Sequence, residues 1–352
     1  MIDERRFIDM VCELDGIMSV RLEGDLLTPL SGLEELLDIH GQPFDPPNAY
    51  LDFAMCRLAS QHGTDILLDG LEGDVTVSHG VHYLDELAAQ SEWAGFLREA
   101  KALDERLGRR PGTVFRQYGM EHLAEAGLRR LASGVLQLTF SGVPRLAARV
   151  LKARLRKRSA NVNGGGAGGR IISEALAESV DWSSRGREPD RPRYPSEREA
   201  HIDFLRKAYI PSLMEFTHTN TRHFGVEIRH PMFDRRLVDF AVGLPPRMKL
   251  REGWTRYILR EAMGGIVPDT VRWRPGKATL APNFDLRMAR EARHDVESVL
   301  DDAGRELRDY VKYDVLREEF ANDRFRGLWP PVVFALFLKK SSANPQIARI
   351  ES

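Results

Sequence analysis

The sequence predicts an α/β fold: a partial, doubly wound parallel sheet followed by a large, mostly helical remainder. Three observations carry this. A helical pattern at 47–62 runs into a short apolar strand at 64–69, the alternation that builds open α/β sheets. That strand opens into Leu67–Gly80, LLDGLEGDVTVSHG, which is rich in glycine and carboxylates and has no Lys or Arg. From Leu84 onward almost every stretch has the helical period, with abundant Ala, Leu, Glu and Arg.

In chain order, DERRFIDMVCE (3–13) places Phe7, Ile8, Val11 and Cys12 on one face and predicts a short amphipathic helix. IMSVRL (17–22) predicts a strand. PNAYLDFAMCRLASQH (47–62) predicts a helix closed by Gly63 as C-cap. TDILLD (64–69) is nearly continuous in apolar residues, the pattern of a strand buried on both faces of a parallel sheet. The Leu67–Gly80 segment then falls at a strand's carboxyl end, where such sheets bind ligands. Further helices are expected over 84–107, 115–138, 171–180 and 196–219. Residues 1–83 thus form the α/β part and 84–352 the helical part. Within the latter, RLAARVLKARLRKR (145–158) has seven basic residues and no acid, and it leads into NVNGGGAGGR. A solvated helix face with a flexible tether is the expectation, and 145–170 should project from the body. Contact with nucleic acid or an anionic membrane is the competing reading, without aromatic residues to support base stacking.

At 352 residues the chain can bury a full core. Its net charge of −1 argues against a general polyanion binder. Cys12 and Cys56 have no metal-ligand spacing, so neither a disulfide framework nor a zinc site is expected. The amino terminus has no apolar h-region, and no window approaches the roughly 18 apolar residues of a spanning helix. A soluble cytoplasmic protein is the expectation, with neither membrane nor nucleic acid as partner.

The segment from Glu215 to Phe284 is the most informative. Arg229 and Asp234 flank a His-Pro-Met-Phe bend, and a helix with Leu237, Phe240, Ala241 and Leu244 as its apolar stripe follows. A second helix, Thr255 to Met263, carries Arg256 and Arg260 four apart, hence on one face. Pro268 starts another turn, and Trp273-Arg274-Pro275-Gly276-Lys277 makes a constrained loop. Charged residues on a loop held by Pro and Gly point to a site, with a solvated surface loop as the alternative.

This run resembles the carboxyl-terminal synthetase domain of the asparagine synthetase family. VEIRHPMFD (226–234), WTRYILREAM (254–263), IVPDTVRWR (266–274) and Lys277 match that family's motifs in order and spacing, and LLDGLEGDVTVSHG is similar to its second nucleotide-site motif, Ser-Gly-x-Gly-x-Asp-Glu. The details look closest to the branch that includes lasso-peptide cyclases and asparagine synthase-like proteins. The resemblance implies an adenine nucleotide alpha hydrolase-like sheet and a reaction needing ATP and Mg²⁺. A small-molecule or peptide carboxylate attacks the α-phosphate, and an amine or ammonia then displaces AMP to form an amide. It further implies roles. Asp74 would help hold Mg²⁺ and pyrophosphate, with Asp69 beside it. Gly70 and Gly73 would bring backbone N–H groups to phosphate oxygens. Lys277 would meet the developing charge, Arg229 would join it in the cleft, and Glu215 lies near the glutamate of a Tyr–Glu proton-abstracting dyad in β-lactam-forming relatives.

Three departures qualify this. The phosphate-cradling Ser-Gly-Gly-x-Asp-Ser loop is nowhere in the chain, and GGGAGGR (164–170) lacks its Ser and Asp. Position 2 is not Cys, so glutamine is not the expected nitrogen source. The usual Asp-Glu pair reads Asp74-Val75, and Leu71 stands where a glutamate is common, with Glu72 one residue on. The expectation is an amino-terminally truncated synthetase domain whose missing strand and loop come from a complementing polypeptide. The alternative is an inactive remnant or scaffold subunit. Asp74, Arg229 and Lys277 should converge on one cleft at the end of the 64–69 strand.

Other residues have plainer readings. His79 and His82 can in principle join Asp74 on a metal, but capping or polar packing is expected of them. Trp254 and Trp273 are expected as core anchors rather than an adenine stack. Asp301 and Asp302 should open a late helix. Leu328-Trp329-Pro330-Pro331 and the following VVFALFL predict a buried carboxyl-terminal helix.

Overall fold

The computed structural model describes residues 4–120, 122, 171–182, 194–276 and 281–343. The 145–170 segment and Lys277 lie outside them. Helix α1 (Arg5–Cys12) forms where its spacing predicts, and it rests on Arg274, whose guanidinium pairs with Glu4 at 2.6 Å and covers the Phe7 ring at 4.3 Å. The strand expected at 17–22 does not form. An extended segment becomes a strand only when neighbours take its N–H and C=O groups, and none does among the described residues. Met18 is accordingly 86% exposed.

Helix α2 (Leu33–His40) lies between two left-handed glycines, Gly32 and Gly41. Helix α3 (Ala49–Gln61) ends as predicted: Gly63 turns left-handed at φ +68°, and Thr64 N–H donates to Ala59 C=O at 3.1 Å. Strand β1 (Ile66–Leu68) then pairs in parallel with β2 (Glu227–Arg229), Ile66 opposite Glu227, Leu67 opposite Ile228 and Leu68 opposite Arg229. The sheet is therefore small and parallel, and the rest of the described chain is mostly helical.

Strand β2 gives no signal in the sequence: it is three residues long and Ile228 alone among them is buried. The burial expected of β1 is also wrong. Ile66 and Leu68 are 44% and 65% exposed, and among the described residues β1 pairs with β2 alone.

Helix Tyr209–His223 leads into β2 and packs on α2 and α3. Buried Asn220 joins all three, giving its amide to Asp52 at 2.7 Å and pairing its oxygen with the His40 ring at 2.8 Å. Burial pushes the Asp52 carboxyl up and the His40 imidazole down.

Of the three equally long helical expectations, 84–107 and 196–219 are interrupted, and most of 115–138 lies outside the described residues. Ser91, at φ +64°, separates α5 (Tyr83–Ala89) from α6 (Trp93–Arg106), and the next expected helix enters through a π-turn at Phe115–Gly119. Leu84, Leu87, Trp93, Phe96, Leu103 and Phe115 fill the core between them. The stretch expected over 196–219 is likewise two helices, Glu197–Leu205 and Tyr209–His223.

The carboxyl-terminal helix Phe325–Ala343 forms with Pro330 and Pro331 inside it. Trp329, Val332 and Val333 are wholly buried against Phe284, Met288 and Val296, so tertiary packing overrides the prolines. Asp301 and Asp302 do not open a helix; they close Arg293–Asp302 and pair with Arg317 at 2.9 Å and Lys339 at 2.7 Å. No helix among the described residues is long and apolar enough to cross a membrane.

Candidate functional site

The carboxyl ends of β1 and β2 meet at Asp69 and His230. Asp69 extends the pairing through its N–H to Arg229 C=O at 3.2 Å. Its carboxylate accepts the Leu71 N–H at 3.2 Å and the His230 Nδ1–H at 2.8 Å, tying the following turn to β2. The chain then passes through Glu72, left-handed at φ +63°, into the short helix α4 (Gly73–Val77), and leaves through Ser78 at φ +61° and Gly80 at φ +72°. Non-glycine residues with positive φ are costly, of order 1–3 kcal/mol each, so the surroundings must hold this turn.

Asp74 sits in the first turn of α4 and pairs with Arg256, while His79 Nε2 lies 3.8 Å from its other oxygen. Glu72 is buried, and desolvation, then Asp74 and Asp69, push its carboxyl up, with His230 opposing. Tyr209, half exposed, is raised by desolvation and by the same carboxylates, Glu72 and Asp74. Sequence reasoning missed Tyr209, because no local pattern ties it to a turn over a hundred residues upstream.

Arg256 itself is left-handed, at φ +53°, just before helix Tyr257–Ala262. On its other side it lines a cavity of about 310 Å³ together with Arg260, Arg272, Arg274 and Gly276. The Arg260 guanidinium is brought down to about 10 by desolvation, then by Arg256 and Arg106. It donates to the Thr255 and Arg272 carbonyls, and Arg272 donates back to Arg260 C=O at 3.0 Å. Trp254 and Trp273 pack 5.0 Å apart, with Arg106 over the Trp254 ring at 3.9 Å. The indoles serve as a platform for arginines.

The sequence-predicted residues are placed as follows. Asp69, Gly70, Gly73 and Asp74 share the turn. Gly73 N–H already donates to Gly70 C=O at 3.2 Å, whereas a Cβ on Gly70 would meet nothing within 4 Å, so Gly70 is the backbone open to a ligand. Arg229 stands beside Leu68 at the sheet end, but its exposed guanidinium donates to Glu227 at 2.7 Å rather than to the turn. Glu215 is exposed on helix Tyr209–His223, where its C=O accepts from Thr219. Lys277 follows Gly276 of the cavity wall and lies outside the described residues. His82 bonds to Asp85 at 2.7 Å and takes no part in the turn. Among the described residues, no three His, Cys, Asp or Glu side chains form a metal cage. Mg²⁺ held mainly by phosphate and water needs only one or two carboxylates, and half-exposed Asp74 suits that use.

Behind the turn lies a second feature that sequence reasoning did not find. Lys249, Glu197 and His201 are 0%, 1% and 1% exposed. Lys249 Nζ donates to His201 Nδ1 at 2.9 Å and lies 3.6 Å from Glu197. His201 Nε2–H in turn donates to Val75 C=O at 2.8 Å. Desolvation, then Lys249, pull the His201 imidazole down to about 4.

A pH dependence follows. Between pH 6.5 and about 4 the unfolded chain's His201 is protonated while the folded one is not, so stability falls as pH falls through that window. The loss is on the order of 3 kcal/mol. Urea unfolding from pH 7 to 4.5 should show it, and His201→Gln should flatten the slope; an unchanged slope would contradict this.

The glycine- and carboxylate-rich turn lies at the carboxyl end of a parallel sheet, with an arginine across from it, the position at which open α/β sheets bind ligands. The asparagine synthase family model matches residues 3–339, and the chain belongs to that family. The human (Homo sapiens) asparagine synthetase (glutamine-hydrolyzing) is 28% identical over 109 residues, 30% of this chain and 18% of that protein. The protein of that name from Rattus norvegicus is 27% identical, and that from Gallus gallus 25%, over the same shares. The aligned stretch spans less than a fifth of these relatives' length. No solved structure matches the chain.

Proposed function

We propose that this chain supplies the carboxylate and cationic half of an ATP-dependent, amide-forming ligase site. A carboxylate attacks the α-phosphate of ATP, pyrophosphate leaves, and an amine displaces AMP from the acyl-adenylate. Asp74 would hold the Mg²⁺ that accompanies the phosphates, with Asp69 fixing the turn and Gly70 offering its open backbone. Arg256 and Lys277 would neutralise the charge that develops as pyrophosphate departs, the effect on which such a step depends most. Arg229, at the sheet end, and Glu215, exposed on helix Tyr209–His223, are the remaining candidates for contact with substrate. The observation that carries the reading is the Asp74–Arg256 pair at the end of β1, between the carboxylate turn and the arginine-lined cavity.

The same reading gives the chain a partner. Among the described residues Ile66 and Leu68 are exposed on a strand paired on one edge only, a form parallel sheets avoid. An apolar strand ending in a Ser-Gly-Gly-x-Asp-Ser loop would cover that edge and bring the phosphate-binding N–H groups that Leu67–Gly80 lacks. Reconstitution tests this. With a polypeptide carrying that strand and loop, and with aspartate and ammonia or a peptide carboxylate and amine, the expected products from ATP are AMP and pyrophosphate. Release of ADP and phosphate would contradict adenylation. Which carboxylate serves best decides between asparagine formation and peptide cyclisation.

A further inference from the structure

We infer that Lys249, His201, Glu197 and Ser78 are positioning residues that hold the Asp74 turn from behind and so set its aim. The inference rests on the proposed role of Asp74 toward Mg²⁺ and ATP. Helix α4 has five residues, too few to be stable by its own hydrogen bonds. It is entered and left through non-glycine residues at positive φ, Glu72 and Ser78. Its geometry must therefore come from outside, and each anchor traces to the buried network. His201 takes the carbonyl of Val75, the residue after Asp74. Glu197 accepts the Ser78 hydroxyl at 2.6 Å, and that hydroxyl in turn accepts Gly80 N–H at 3.1 Å. Gly80 packs on the backbone of the Lys249–Leu250 junction, where a Cβ would come within 2.7 Å.

The protonation pattern is self-consistent. Lys249 donates to His201 Nδ1, which places the ring proton on Nε2, the atom that must donate to Val75 C=O. Burial pushes the Glu197 carboxyl up and the Lys249 ammonium down, while the attraction between the two opposes both shifts. A buried ion pair of this kind is weak evidence for stability, since apolar replacements of similar shape are often as stable. Its other attested use is to specify one geometry. Here that geometry is the strained turn at the site.

The test uses the whole chain and two variants. Lys249→Met/Glu197→Gln removes both buried charges together, leaving neither unpaired; Ser78→Ala, at a half-buried position, removes two bonds, the hydroxyl's to Glu197 and that of Gly80 N–H to the hydroxyl. The expected result is an unchanged melting temperature, with hydrogen exchange in peptides spanning 74–80 faster by roughly tenfold and elsewhere unaltered. Affinity for Mg²⁺-ATP, per folded molecule, should fall in parallel. If the double variant does not fold, Ser78→Ala alone must show the local loosening. Native exchange at 74–80 in the variant that folds would overturn the inference, as would a lowered melting temperature with exchange raised uniformly. If 74–80 loosens but the unaltered chain binds no Mg²⁺-ATP, the positioning role stands and the proposed function fails.

Discussion

Asp74→Asn should weaken Mg²⁺-dependent ATP binding and leave the fold intact. The side chain is 31% exposed in the first turn of α4, and its partner Arg256 keeps access to solvent, so losing the pair costs little stability. The effect on ligand is larger. Asparagine keeps the shape but removes the charge that a hard cation requires, and the affinity for Mg²⁺-ATP should fall on the order of 100-fold. ATP without metal should bind no worse, because the variant withdraws a negative charge and releases Arg256. Equilibrium dialysis of labelled ATP with and without Mg²⁺ separates the two. Equal losses in both would make Asp74 a support for Arg256, and undiminished Mg²⁺-ATP binding would remove it from the site.

Gly253→Ala has the largest expected effect on folding. Glu252 and Gly253, both at positive φ, make a two-residue turn between strands Leu250–Arg251 and Trp254–Thr255, and Arg256 follows directly. Gly253 N–H donates to buried Glu99 at 3.1 Å, and Arg106 holds Glu252 C=O at 2.8 Å, so the turn lies flat on α6. A Cβ on Gly253 would stand 2.4 Å from the Ala102 carbonyl carbon and 2.6 Å from its oxygen. Backbone cannot rotate away as a side chain can. Alanine must lift the hairpin off α6, at about 3–5 kcal/mol for overpacking and left-handed strain together. Gly41→Ala is the control, with φ +62° and open space around the new methyl, and should cost about 1 kcal/mol. Urea unfolding of both checks this; similar losses would show that φ strain alone decides.

How much of this was legible depended on the reach of each interaction. Helices α1 and α3, the Gly63 stop and the carboxyl-terminal helix follow from local periodicity and capping, and they are found where the sequence puts them. The turn at 69–80 was legible because glycines and carboxylates crowd together in one short stretch. Strand β2 was not, since three residues with one buried side chain carry no period. ILL read correctly as a strand and IMSVRL did not, because pairing and burial belong to neighbours rather than to the segment. The Lys249–His201–Glu197–Ser78 network spans separations of 48 and 119 residues, and no single window contains it. Asp301 and Asp302 were misread because acidic residues favour a helix start, while Arg317 and Lys339, distant in sequence, hold them at a helix end.

Pyrophosphate release by the purified chain tests the central claim, that half of an adenylating site resides here. Given Mg²⁺-ATP with aspartate and ammonia, or with a peptide carboxylate and amine, the chain alone should release no pyrophosphate above the rate without protein. Adding the strand and Ser-Gly-Gly-x-Asp-Ser loop should start release, because they supply the phosphate contacts that the chain alone does not have. Robust release by the chain alone, abolished by Lys277→Ala, would contradict the account and show that these 352 residues already make a complete enzyme.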